Sequence, residues 1–90
     1  DGTDANIFGD VKSAADGKHI PFVTVFVEGT SIGTTTDETG HYMLIDLPIG
    51  THTLVAKSMG YKLAKKKITI TLKQVLEVNF VLEEEIISTA

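Results

Sequence analysis

Eight glycines cut this chain into short runs of β-branched and aromatic residues, and no run repeats its apolar positions every third or fourth residue. Such runs, separated by turn signals every 8–12 residues, are the pattern of an all-β domain. The most helix-like window, Lys62–Lys66, has no capping residue and no apolar spacing at either end. With 90 residues there is room for one domain, which buries about 60–65% of its unfolded surface. An apolar share of 42% and a charged share of 22% are globular values, too apolar for a disordered chain.

Period-two alternation places the strands. They are expected at Asn6–Lys12, Ile20–Glu28, Ser31–Thr36, His41–Leu47, Thr51–Ser58, Leu63–Leu72 and Val75–Leu82. Turns fall at Asp16-Gly17, Asp37-Glu38-Thr39-Gly40, Pro48-Ile49-Gly50, Met59-Gly60 and Lys73-Gln74. The second run carries Val23, Val25 and Val27 on one face and Phe22 and Phe26 on the other, as a central strand would. Ile68, Ile70 and Leu72 are expected inward, as are Leu76, Val78, Phe80 and Leu82, with Glu77 and Asn79 outward. Seven strands without a helix predict a Greek-key β-sandwich. Its core is expected to hold Phe8, Val25, Tyr42, Leu44, Leu54, Ile70, Val78 and Phe80. Residues 1–82 form this domain, and residues 83–90 form a tail of three glutamates followed by Ile86, Ile87, Ser88, Thr89 and Ala90.

The side-chain inventory narrows the chemistry. No cysteine means no disulfide framework and no thiolate-ligated zinc. All eight basic residues are lysines and the net charge is −4, which argues against nucleic acid as a partner. No apolar run reaches 18 residues, so this domain is not expected to insert a helix into a membrane. No signal peptide is read at Asp1, so the chain is expected to be cytosolic, mature after cleavage, or cut from something larger. His19, His41 and His52 show no metal-ligand spacing and would share an ion only if the fold brought two of them together, so no metal ligands are assigned. Asp37 and Glu38 read as an Asx-turn and not as a calcium loop, since oxygen ligands at alternating positions are missing. No serine sits in a nucleophile elbow, and no glycine-rich loop opens a helix. A lysine–asparagine cross-link between Lys12 and Asn79 would need an acid where the middle strand offers Lys57. No catalytic residue and no cofactor is therefore assigned. Lys62, Lys65, Lys66 and Lys67 form an acid-free stretch, read either as a solvated strand that protects a sheet edge or as a docking face for an acidic protein or phosphate headgroups.

Several pieces, taken as a set, resemble the carboxypeptidase regulatory-like domain. They are Phe8-Gly9-Asp10-Val11, Asp16-Gly17, Ile20-Pro21-Phe22-Val23, Gly29-Thr30, Gly33-Thr34-Thr35-Thr36-Asp37, Gly40-His41-Tyr42, Leu47-Pro48, Gly50 and Gly60-Tyr61. The resemblance covers residues 6–82 and implies a transthyretin-like, prealbumin-type sandwich. His52 departs from it where the family usually has an aromatic, and Phe22 stands where it usually has alanine. Such domains occur as N-terminal extensions of SusC-like TonB-dependent outer-membrane receptors. There a segment similar to Leu82-Glu83-Glu84-Glu85-Ile86-Ile87-Ser88-Thr89-Ala90 joins the domain to the plug. The resemblance thus implies a non-catalytic domain at the periplasmic face of the outer membrane, its tail a TonB-box-like linker to an absent plug. Its partner would be a TonB-type energy transducer or the receptor's own plug and barrel. Glu85, Ile86, Ile87, Ser88 and Thr89, with the four lysines, are then the candidate partner-binding residues. The rival readings are a carbohydrate-binding or adhesive sandwich on the cell surface, which needs a platform of exposed aromatics, and a regulatory appendage of a zinc carboxypeptidase.

Overall fold

The structure, a computed structural model, describes residues 4–86. Two sheets face each other. The first is built around β1 (Asn6–Ser13), flanked on one side by antiparallel β4 (His41–Leu44). On the other side β7 (Val75–Glu77) and β8 (Phe80–Leu82) run parallel to β1, one after the other. The second sheet is antiparallel throughout, in the order β3 (Gly33–Thr35), β2 (Thr24–Val27), β5 (Gly50–Lys57), β6 (Ala64–Ile70). Between them lies one apolar core with Ile7, Val11, Val23, Val25, Val27, Leu44, Leu54, Ile70, Phe80 and Leu82 at its centre. The expected all-β sandwich is what the residues form, with β2 central in its sheet as its two apolar faces imply.

Eight strands replace the seven expected because the last run is interrupted at Val78-Asn79. The interruption has a local cause. The Val78 carbonyl accepts a hydrogen bond from the buried Tyr42 hydroxyl at 2.5 Å, while the Val78 N–H donates to the Phe8 carbonyl at 2.9 Å. The Asn79 side-chain oxygen then accepts the Asp10 N–H at 3.0 Å. Gly9 makes room for this, since a Cβ there would overlap the Val78 carbonyl. Both backbone groups of the buried Val78 are thereby paired within the fold, as burial demands.

The run from Ile20 is likewise shorter than alternation suggests. Pro21-Phe22 turns, with Phe22 at φ 60° and largely exposed, before β2 begins. The turn is closed by a side chain. Thr36, buried to 1% exposure, accepts the Val23 N–H at 2.8 Å and donates to the Ile20 carbonyl at 3.0 Å. Asp46, at φ 53°, ends the following strand early and lets Leu47 drop into the core.

Of the eight expected core residues, Val25, Tyr42, Leu44, Leu54, Ile70, Val78 and Phe80 are buried. Phe8 is the exception at 39% exposure: on β1 the inward positions are Ile7, Gly9, Val11 and Ser13. Leu72, expected inward, is 64% exposed because β6 ends at Ile70.

Candidate functional site

The lysine-bearing strand β6 is the edge of the second sheet, paired only with β5 among the described strands. Its side chains divide by parity. Lys65 and Lys67 face outward, and Lys65 forms an ion pair with Glu28 at 2.8 Å. Lys66 shares the inward face with Ala64, Ile68 and Ile70. Lys66 is itself exposed, as a solvated strand expects, yet it has contacts within the fold. Its Nζ donates to the Asn79 carbonyl and lies 5.4 Å over the Phe80 ring, so its stem closes the gap between β6 and β8. An inward charge at an edge also discourages further strand pairing.

Lys62 lies in the connection before β6 and reaches Glu83 at 3.7 Å. Backbone pairing continues there beyond β8. The Lys62 N–H donates to the Glu83 carbonyl at 2.8 Å, the Glu85 N–H donates to the Gly60 carbonyl at 2.9 Å, and Tyr61 bridges Glu84. Glu83–Glu85 thus follow the edge formed by Gly60–Lys62, and Ile86 emerges from it 87% exposed. Ile87, Ser88 and Thr89, also among the candidate partner residues, lie outside the described residues.

A second constellation was not visible in the spacing. On the outer face of the first sheet, Asp10 of β1 stands directly across from His41 of β4. The loop after β1 returns to pair His19 with Lys12, which lays His19 beside both. Its Nε2 is 3.5 Å from an Asp10 carboxylate oxygen, and its ring centroid is 5.1 Å from that of His41. Gly40, at φ 80°, allows the close approach, since a Cβ there would stand 2.7 Å from the His19 Cβ. Below it the expected Asx-turn is present. Asp37 accepts the Thr39 N–H at 2.8 Å, the Thr39 hydroxyl at 2.6 Å and the His41 N–H at 3.1 Å. The Thr39 hydroxyl bond, followed by the backbone bonds from His41 and Thr39, holds the Asp37 carboxyl below its ordinary range. His52 sits apart on β5, and its Nε2 is buried with no partner among the described residues.

Burial, aided by the nearby Asp10 charge, pushes the Tyr42 phenol well above its ordinary value, so the hydroxyl stays a donor. Ser13 is spent on the Ala15 N–H at 3.3 Å. A groove beside the histidine pair is lined by Phe8, Asp37, His41 and Met43.

Solved structures of similar fold include Klebsiella pneumoniae 5-hydroxyisourate hydrolase, at a TM-score of 0.71 and 18% identity, with 90% of this chain and 91% of that one covered. A chain of the type II cohesin–X-dockerin complex of Acetivibrio cellulolyticus, in an N-terminal interface mutant, aligns at a TM-score of 0.73 and 15% identity over 89% of this chain. This chain spans only 58% of that one, and 56% of the one matched in the C-terminal interface mutant. The Caf1A usher C-terminal domain aligns at a TM-score of 0.57 and 12% identity, covering 88% of this chain and 97% of that one. At these identities the likeness concerns the fold, a transthyretin-like sandwich. No curated protein sequence matches significantly. The sequence itself matches the CarboxypepD_reg-like domain over residues 7–90, nearly its whole length, and the chain belongs to that family.

Proposed function

We propose that this chain is a non-catalytic, periplasmic N-terminal extension of a TonB-dependent outer-membrane transporter of the SusC-like, nutrient-importing kind, working through protein–protein contact. The observation that carries the reading is the junction at its C-terminal end. An acidic-then-apolar segment follows β8 directly, runs along the Gly60–Lys62 edge as far as Glu85, and presents Ile86 to solvent. Strand addition to an energy transducer needs such an extended, apolar element leaving a folded domain. The exposed Lys67 on the neighbouring edge strand suits an acidic partner, whether the transducer or the receptor's own plug. Neighbours of this fold drawn from a cohesin–X-dockerin complex and an assembly usher are in keeping with a docking role.

The test is a titration with the transducer's C-terminal domain, followed by amide chemical shifts. The reading expects saturable shifts at Glu85 and Ile86, lost in an Ile86→Asp/Ile87→Asp variant that keeps its fold. Absence of binding, or binding indifferent to that variant, overturns it. So would a full reading frame that continues into a peptidase instead of a plug and barrel.

One observation favours a second reading. Phe22, 67% exposed, lines an open groove with Phe26, Thr24 and Met59 on the outer face of the second sheet. A carbohydrate-binding domain would use such aromatics. Saturable glycan binding abolished by Phe22→Ala would favour it over the transporter reading.

A further inference from the structure

We infer that Asp10, His19 and His41 form a binding site for a divalent transition-metal ion of the Zn²⁺ class. One ligand atom from each of the three lies within 4.8 Å of the other two. Tetrahedral zinc with bonds of about 2.0–2.1 Å holds its ligands roughly 3.3 Å apart. Asp10 and His19 are already at 3.5 Å, so small side-chain rotations complete the set. Two imidazoles and one carboxylate are a recurrent donor set for such ions, and three protein ligands leave the remaining position for water or for a donor from a partner. The absence of thiolates matches a chain without cysteine.

The histidine on β4 is also prepared as a ligand. The Thr39 hydroxyl donates its single hydrogen to an Asp37 carboxylate oxygen at 2.6 Å. The oxygen of Thr39 then accepts from His41 Nδ1 at 2.8 Å. This relay fixes Nδ1 as the N–H and leaves the lone pair on Nε2. A metal-ligating histidine characteristically donates its other nitrogen to a supporting acceptor, which fixes its tautomer and ring orientation. Opposing these features is Lys12, the next outward residue on β1, whose charge disfavours a cation nearby. The exposed setting screens it.

The location gives the ion a mechanical effect. It would tie the loop carrying His19 to β1 and β4 on a face the core does not use. Folding does not depend on it, because the three residues lie outside the apolar core. The site is independent of the transporter reading, and its test does not involve the transducer.

The experiment is a Zn²⁺ titration of the untagged chain, by calorimetry and by the imidazole resonances of its histidines. Binding of one ion per chain is expected, with His19 and His41 shifting and His52 unmoved. His19→Ala and His41→Ala should each weaken binding by more than about 100-fold, and Thr39→Val by about tenfold while circular dichroism stays native. No heat at millimolar Zn²⁺, equal response of His52, or binding unchanged by both alanine variants would overturn the site. A Thr39→Val variant that binds as tightly as wild type would overturn the relay.

Discussion

Two neighbouring pairs in one ladder do opposite work. Gly9 faces Tyr42 across β1 and β4, and one step along Asp10 faces His41. The first pair points into the sandwich. There the glycine yields space to the Val78 carbonyl and the tyrosine hydroxyl satisfies it. The second pair points outward and meets His19, a residue no strand pattern places. Because a strand alternates faces, a single register determines both an element the fold cannot lose and a cluster the fold does not need. The inward pair should govern stability and the outward pair should govern binding.

The sharpest way to break that division is Gly9→Ala. Its Cβ would collide with backbone that is held from two sides, so the domain should lose more than about 4 kcal/mol or fail to fold. Denaturant unfolding measures this, and a loss below about 1 kcal/mol would show that the β7–β8 break relaxes freely.

Tyr42→Phe removes only the hydroxyl and leaves the Val78 carbonyl buried without its donor, at a cost of about 1–3 kcal/mol. It should also change the alkaline limb. The folded state keeps Tyr42 neutral above its unfolded value of about 10, so its contribution is constant below pH ~10 and stability falls as pH rises past that point. The variant should show a shallower decline above pH ~10, and an identical slope would place the hydroxyl in contact with water.

On the opposite sheet the same parity rule separates Lys66 from its neighbours. Lys66→Ala uncovers Phe80 and frees the Asn79 carbonyl, and should cost about 1 kcal/mol. Lys67→Ala, outward on the same edge, should cost less than about 0.5 kcal/mol. Equal costs would mean that the inward lysine covers nothing.

How much of this could be read beforehand follows from the same geometry. Alternation among Val23, Val25 and Val27, or among Val78, Phe80 and Leu82, reports a buried face directly, and those residues are inside. Phe8 misleads because the inward residue beside it is glycine, so the largest apolar side chain of β1 falls on the wet face. Lys66 is exposed as its charge suggests, and what the charge does not announce is the contact its parity with Ile68 and Ile70 gives it with Phe80 and the Asn79 carbonyl. The break at Val78-Asn79 depends on Tyr42 and Gly9, both far away in the chain, and no local turn signal marks it. The Asx-turn at Asp37 is local chemistry and was readable. The cluster of Asp10, His19 and His41 is not, because strand register and a returning loop create its spacing, and no helix or short motif does. The junction at Glu83–Glu85 is legible as composition, but its pairing with Gly60–Lys62 is not.

The most direct test of the division between the two pairs is the Zn²⁺-dependent shift in melting temperature, measured on Tyr42→Phe and His41→Ala side by side. A ligand at 100 times its dissociation constant stabilises by about 2.7 kcal/mol, and in a domain of this size each kcal/mol moves the midpoint by roughly 4–8 °C. Tyr42→Phe should melt lower than wild type and still gain the full increment with Zn²⁺. His41→Ala should melt within about 0.5 kcal/mol of wild type and gain none. If His41→Ala keeps the increment, or if Tyr42→Phe loses it while still folded, the two pairs do not divide stability and binding between them.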